Sequence, residues 1–282
     1  MLNEFKGKVA VITGAAAGIG RGLAEKSVER GMKVVLSDVE VEALKQTESY
    51  LRSKGGEIFA VVADVSKAEQ VQNLAEKAIS RYGTVDLLCN NAGVSDGGLL
   101  KEHTLADWQW VLGVNLWGVI HGIHYFLPHM MKKNTDCHIL NTASIEGLWS
   151  RIGSGGYQAT KHAIVAMSEV LKMELAVEKS KVGVSVLCPG GVNTRIIESG
   201  RNRPAELQNP PVTLTPEQLK MLEVVKQLFA ASMSPLVVAD ITFDAIAQDK
   251  FYIFTHPELK PMVEARHQSI INDGIPAPPA LF

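Results

Sequence analysis

Short, β-branched-rich apolar runs alternate with longer amphipathic stretches six times before residue 190, and this rhythm limits the possible folds more than any other feature of the chain. The runs fall at residues 9–12, 34–36, 58–62, 85–88, 138–140 and 182–187. Between them, sets such as Val41-Leu44-Thr47-Leu51 and Val71-Leu74-Ala78 repeat at helical spacing. A strand that is apolar at nearly every position must be covered on both faces, which helices crossing between parallel strands achieve. The expectation is an α/β, doubly wound parallel sheet, with residues 251–254 as a seventh strand. A chain of 282 residues is long for one ordinary domain and short for two, so a single domain over 1–282 fits best.

The rhythm breaks at 195–215, where Pro, Asn and charged residues dominate. A connection that long after a strand reads as a substrate-lid insertion, about 195–235. Helices are expected from Pro216 and Pro235, each with proline in its first turn. A C-terminal extension covers about 255–282, and its end, 274–282, carries three prolines and is expected to be non-helical.

Composition removes whole classes of function. Hydrophobic residues at 46% and charged residues at 21% suit a large core and argue against disorder. A net charge of −2 leaves no basic surplus for binding nucleic acid. Cys89, Cys137 and Cys188 are far apart and form no C-x-x-C pair, so neither a disulfide framework nor a zinc site is expected. His121, His124 and His129 share a helix but have no acidic ligand at matching spacing, so no metal is expected. No uninterrupted apolar run is long enough to span a bilayer, and the start does not read as a signal peptide. The expectation is a cytoplasmic protein without a membrane partner.

The first run leads into Thr13-Gly14-Ala15-Ala16-Ala17-Gly18-Ile19-Gly20 and then a helix. Glycines in that place let the backbone turn tightly and let a pyrophosphate approach the helix N-terminus, where free N–H groups attract anions. Asp38 closes the second run, 20 residues after Gly18. There a carboxylate can accept hydrogen bonds from both adenosine ribose hydroxyls and repel a 2′-phosphate. No Arg or Lys stands among Ala15, Ala16, Ala17 or Val39 to compensate, so NAD is preferred over NADP. A solvated strand-end aspartate or a helix cap is the competing explanation.

Tyr157 and Lys161 stand four apart at the start of a strongly helical stretch, hence on one face. A free tyrosine, with a pKa of about 10, is a poor acid–base group at neutral pH. A neighbouring ammonium and a positive nicotinamide are expected to lower it. Ser144 follows the run 139–143, at a strand's C-terminal end, where such sheets place ligands. Asn115 lies inside a predicted helix, where a mediocre helix former can hold a water by distorting the ladder.

In this order, these motifs resemble the NAD(P)-dependent short-chain dehydrogenase/reductase family in its compact, single-domain form. The resemblance covers about residues 5–195 and includes Asp64, Asn90-Asn91-Ala92-Gly93 and Pro189-Gly190-Gly191-Val192-Asn193-Thr194. It implies a seven-stranded Rossmann sheet and hydride transfer between a carbinol carbon and nicotinamide C4. It implies that Tyr157 is the general acid/base, that Lys161 lowers its pKa and binds the nicotinamide ribose, and that Ser144 steadies the substrate oxygen. Asn115 would anchor a water in a relay through Lys161. Gly14, Gly18, Ile19, Gly20 and Asp38 would hold the dinucleotide, with Asp64 and Val65 at the adenine. Asn91 would meet the adenosine-side ribose region, and Val192 and Thr194 the carboxamide. An epimerase or dehydratase of the same fold and a non-enzymatic dinucleotide sensor are the alternatives. The first usually carries a differently spaced glycine turn, and the second typically lacks Tyr or Lys.

The lid motif Glu198-Ser199-Gly200-Arg201-Asn202-Arg203-Pro204, with Thr255-His256-Pro257, looks like bacterial dehydrogenases that oxidise the benzylic alcohol of aryl ethers. A lid this long can cover a bulky, largely apolar secondary alcohol, with Ile196, Ile197, Leu148 and Trp149 as expected walls. Glu146 contacts either a polar substrate group or solvent. Trp108, Trp110 and Trp117 are candidates for inter-subunit contacts or core packing, and a homotetramer or dimer is expected.

Overall fold

The computed structural model describes residues 2–211 and 215–276. Its seven strands form one parallel sheet in the order β3-β2-β1-β4-β5-β6-β7. They are β1 Val9–Thr13, β2 Lys33–Asp38, β3 Glu57–Val62, β4 Leu87–Asn90, β5 Cys137–Thr142, β6 Val182–Cys188 and β7 Tyr252–Phe254. The strand order reverses between β1 and β4, and a crevice opens at such a switch point beyond the carboxyl ends of the strands. The Rossmann-type sheet and its seventh strand are therefore as the sequence rhythm implies.

Strand β1 shows why both faces must be covered. Ala10 and Ile12 join one apolar cluster, and Val9 and Val11 join the other. The first cluster is closed by α1 (Gly18–Glu29), α2 (Val41–Ser53) and α8 (Pro235–Ala247), through Leu23, Leu44 and Phe243. The second is closed by α3 (Ala68–Tyr82), α5 (Gly118–Lys133) and α6 (Gly155–Val177), through Leu74, Phe126 and Leu171.

Helix α4 (Leu105–Val111), a π-helical turn (Leu112–Trp117) and α5 run on without a break. By length and composition alone the stretch Leu105–Lys133 could cross a membrane, but Asp107, Asn115 and three histidines interrupt its apolar residues. One side of it lies in the core through Val119, Phe126 and Met130.

The helices expected at Pro216 and Pro235 are present, as α7 (Pro216–Ala230) and α8. Thr215 and Gln218 form a reciprocal capping box on α7, and the Ser234 hydroxyl accepts from Leu236 N–H on α8. The last helix is α9 (Lys260–Ile271). Part of the tail expected to be non-helical, 277–282, lies outside the described residues. The three cysteines are buried and unpaired.

Candidate active site

The glycine turn is enforced by space. Gly14 and Gly18 have φ of +65° and +55°, a region that costs other residues strain. A Cβ on Gly20 would sit 2.1 Å from the Gly14 carbonyl oxygen, so a side chain there cannot be fitted without moving backbone. Thr13 ties this turn to the end of β4. Its hydroxyl donates to Cys89 O and accepts from the N–H groups of Asn91 and Ala92. Helix α1 then starts with no side-chain cap and no acidic residue in its first turn. Its leading N–H groups are left for an anion, as a dinucleotide pyrophosphate requires.

Asp38, at the end of β2, braces the same turn. One carboxylate oxygen accepts from Ala16 N–H at 2.9 Å and the other from Glu40 N–H at 3.0 Å. Burial pushes its pKa up, against the pull of those two N–H groups. Asp38 thus combines the strand-end role with a position on the wall of a cavity of about 480 Å³. Gly14, Gly18, Ile19, Asp64, Val65, Asn91 and Thr194 line the same cavity, whereas Gly20 supports the turn from beneath.

Two cofactor residues sit differently from the expectation. The Asn91 amide is engaged within the protein, donating to Thr13 O at 3.0 Å and accepting from the Thr142 hydroxyl at 3.3 Å. Its side chain therefore clamps strand ends together, and only other atoms of the residue face the cleft. Val192 does not line the cavity; its side chain is buried in the core, and it pairs with Met233 through an isolated bridge.

Tyr157 and Lys161 lie on the first turns of α6 and share the cavity with the glycine turn. The Lys161 ammonium is 5.3 Å from the centre of the tyrosine ring and donates to Thr142 O at 2.9 Å. Ser144, just past β5, is close enough to the Tyr157 side chain to act on it; its hydroxyl donates to Pro189 O at 3.5 Å and accepts from Glu146 N–H at 3.1 Å. Burial works against the lowering that the sequence argument expects from the lysine and the nicotinamide. Burial raises the Tyr157 phenol well above its ordinary pKa, with the Ser144 hydroxyl opposing it. Burial also pushes Lys161 down to about 8. Desolvation is the largest influence on each group, and it drives both toward their neutral forms.

Asn115 is fully buried in the π turn, so the ladder distortion expected at this residue exists. Its side chain accepts from Val94 N–H at 2.8 Å and donates to Val94 O and to the Thr160 hydroxyl. It therefore braces the segment after β4 against α6.

The far wall differs from the sequence reading. Ile196 lines the cavity, but Ile197, Leu148 and Trp149 do not. Leu148 packs against the cluster that holds Ile164 and Val165 of α6, and Trp149 is buried. The apolar wall comes instead from Trp110, Leu112, Val114, Trp117 and Leu207. Trp110 packs in a small buried cluster with Val94 and Val111, as the core-packing alternative expects, and also presents a face to the cavity, which nothing in its helical spacing marks. Glu146 does not reach the cavity; it pairs with Arg151 at 2.8 Å.

The sequence does not show how the segment after Thr194 is fastened. Arg203 pairs with Asp107 at 2.5 Å while its guanidinium lies over Trp110 at 5.2 Å. Arg201 and Asn202 converge on one oxygen of Glu40. These partners are separated by long stretches of sequence and carry no periodic signal. The Thr255-His256-Pro257 motif is structural, since His256 Nδ1 accepts from Gly190 N–H at 3.2 Å.

A switch-point crevice with an uncapped helix start, opening on the half-buried Tyr157 and the buried Lys161, defines a dinucleotide-dependent oxidoreductase. The chain belongs to the short-chain dehydrogenase family, whose profile matches residues 8–204. A dehydrogenase/reductase of CLA biosynthesis from Lactiplantibacillus plantarum is 36% identical over 277 residues, 98% of this chain and 97% of the relative. A C alpha-dehydrogenase from Sphingobium sp. is 30% identical over 98% of this chain and 89% of its own length, the counterpart of the weaker aryl-ether likeness. Among solved structures, a short-chain dehydrogenase/reductase from Burkholderia phymatum in complex with NAD superposes with a TM-score of 0.95. It is 44% identical, and 99% of each chain is covered.

Proposed function

We propose that the protein is an NAD-dependent oxidoreductase interconverting a secondary alcohol and a ketone, acting on a bulky, largely apolar substrate. The observation that carries this reading is the single cavity shared by Asp38, the glycine turn and the Tyr157–Lys161 pair. The NAD complex of the Burkholderia phymatum relative and the dehydrogenase names of both curated relatives support it. Bound as NAD⁺, the cofactor supplies the hydride acceptor and a positive charge that favours the phenolate.

In oxidation the Tyr157 phenolate oxygen takes the alcohol proton; in reduction the phenol returns one to the carbonyl oxygen. Ser144, beside Tyr157, turns its hydroxyl from Pro189 O to the substrate oxygen. Lys161, with its Nζ fixed on Thr142 O, presents its remaining donors to the ribose and its charge to the phenol. A water anchored at Asn115 would meet the backbone of the π turn or the second lone pair of the side-chain oxygen, because both amide hydrogens are engaged. Trp110, Trp117 and Leu207 offer apolar surface, which suits a ring-bearing alcohol better than a sugar. The reading includes a cytoplasmic homo-oligomer; exposed Val170, Met173 and Val177 on α6 support a subunit contact.

The test is NADH formation with secondary alcohols graded in ring size, for the wild type and Tyr157→Phe. Turnover should rise with an added ring. It should fall by about 10²–10⁴-fold in the variant, with NAD binding retained. A variant that keeps a large share of the rate would remove Tyr157 as the acid/base. Best activity on ethanol-sized alcohols would overturn the substrate class.

A further inference from the structure

We propose that Asp96 and His103, on the loop between β4 and α4, are positioning residues for Tyr157, with Asp96 capping the helix that carries it and His103 holding Asp96. The proposal rests on the reading of Tyr157 as the acid/base.

Helix α6 begins without a cap of its own. Ser154 precedes it at φ +54° and makes no side-chain capping bond. Gly155, Gly156 and Tyr157 follow, so the Tyr157 N–H is one of the donors that a helix start leaves without an internal acceptor. Asp96 supplies the acceptor from 61 residues away, its Oδ1 receiving that N–H at 3.3 Å.

The fit is built from both sides. The Asp96 carboxylate is fully buried, and a Cβ on Gly156 would stand 2.2 Å from its Oδ2. The glycine before Tyr157 therefore makes room for the carboxylate. Gly155 similarly leaves room for Leu100, and Ser154 N–H donates to Gly98 O at 2.9 Å. The other Asp96 oxygen lies 2.9 Å from His103 Nε2, and the histidine side chain is only 3% exposed. The second ring nitrogen lies 3.0 Å from Leu99 O. The ring thus sits between the Asp96 carboxylate and the Leu99 carbonyl, and it contacts the carboxylate by proximity without the alignment of a hydrogen bond.

Charge shows that this is not activation of the phenol. The negative charge of Asp96 opposes ionisation of Tyr157, as does that of Glu146, while Arg151 acts the other way. Asp96 thus works electrostatically against the base it supports, and its contribution is geometric. A shift of about 1 Å in a reacting group can cost about 10²-fold in rate.

The experiment compares Asp96→Ala, Asp96→Asn, His103→Gln and Tyr157→Phe by kcat, KM, NAD affinity and the pH profile of kcat/KM. Asp96→Ala should lower kcat by about ten- to a hundredfold, with KM and NAD affinity within about twofold. Asp96→Asn keeps the acceptor and should restore most of kcat. Its pH profile should move to lower pH, because a charge opposing the phenolate is gone. His103→Gln should lower kcat in the same direction by a smaller factor.

A kcat within twofold of wild type in Asp96→Ala, or an Asn variant no better than the Ala variant, overturns the proposal. If Asp96→Ala does not fold, an unshifted pH profile in Asp96→Asn together with full kcat in His103→Gln overturns it. An inactive Tyr157→Phe beside an intact Asp96→Ala refutes the positioning alone. An active Tyr157→Phe refutes the acid/base reading and this proposal with it.

Discussion

The two halves of the cleft are built on different principles. The cofactor half is made of backbone, from strand ends that meet at a switch point and a turn in which Gly20 leaves no space for a methyl group. The substrate half is made of side chains, with Trp110 and Leu207 as wall and Arg203 and Arg201 as fastenings. A backbone site tolerates almost no local substitution. A side-chain site can be re-specified while the sheet behind it stays as it is, and this separates conserved chemistry from variable substrate within one fold.

The largest expected effect tests that contrast with two glycines. Gly20→Ala drives a Cβ into the Gly14 carbonyl and should cost about 1–3 kcal/mol of stability, with at least about a tenfold loss of NAD affinity. Gly200, in the lid, has nothing within 4 Å of its virtual Cβ, and Gly200→Ala should stay within about 0.5 kcal/mol of wild type. Thermal melts and NAD titration of both variants decide it. Equal responses would erase the distinction between the halves.

Cofactor choice gives the next effect. Asp38→Asn removes the charge facing a 2′-phosphate but keeps an acceptor for one of the two N–H groups that the carboxylate now braces. The ratio of kcat/KM for NAD over NADP should narrow by on the order of tenfold, about 1.4 kcal/mol. Equal use of the two cofactors by the unmodified protein would contradict the role given to Asp38.

What could be read in the sequence divides along the same line. Strands such as residues 9–12 announce themselves because complete burial demands an unbroken apolar run. Tyr157 and Lys161 can be paired because helical spacing places them on one face. Trp110 could not be assigned to a wall, since one buried aromatic on a helix looks the same whether it faces a core or a cavity. Leu148, Trp149 and Ile197 were misplaced for the same reason: apolar residues near a site need not face it. The sign of the Tyr157 shift was also out of reach, because it depends on how much water the fold removes and not on the spacing to Lys161.

The clamp at the base of the lid gives a pH-dependent effect. Burial alone would raise the Asp107 pKa, but hydrogen bonds from Thr104, Arg203 and Asn209 outweigh it and hold the carboxyl at about 2. The folded value lies below the ordinary one, so the stabilisation is complete above about pH 4 and is lost as pH falls toward 2. The size is about 2 kcal/mol near neutrality. Arg203→Ala should therefore lower stability at pH 7 and differ progressively less from wild type between pH 4 and 2. KM for large alcohols should rise as Trp110 loses the guanidinium stacked on it. Denaturant melts across that pH range supply the comparison, and a gap between the two proteins that does not depend on pH would contradict the clamp.

The smallest effect concerns the point where the two halves touch. Glu40 stands two residues after Asp38 and receives Arg201 and Asn202 from the lid, so the edge of the adenosine end and the cover of the substrate end share one carboxylate oxygen. The hydrogen bonds from both partners hold the Glu40 pKa below its usual value against the effect of burial. Such a partly exposed pair contributes about 0.2–1 kcal/mol, and salt screens it. Glu40→Gln keeps an oxygen acceptor for Asn202 and Arg201 but removes the charge. KM should rise by no more than a few-fold at low ionic strength, and wild type and variant should converge as salt is added. Because Gln preserves the shape of the contact, a difference that survives high salt would mean that the two halves are joined by packing and not by charge. A lid held by charge can open without disturbing the glycine turn, whereas one held by packing could not move without loosening Asp38 two residues away.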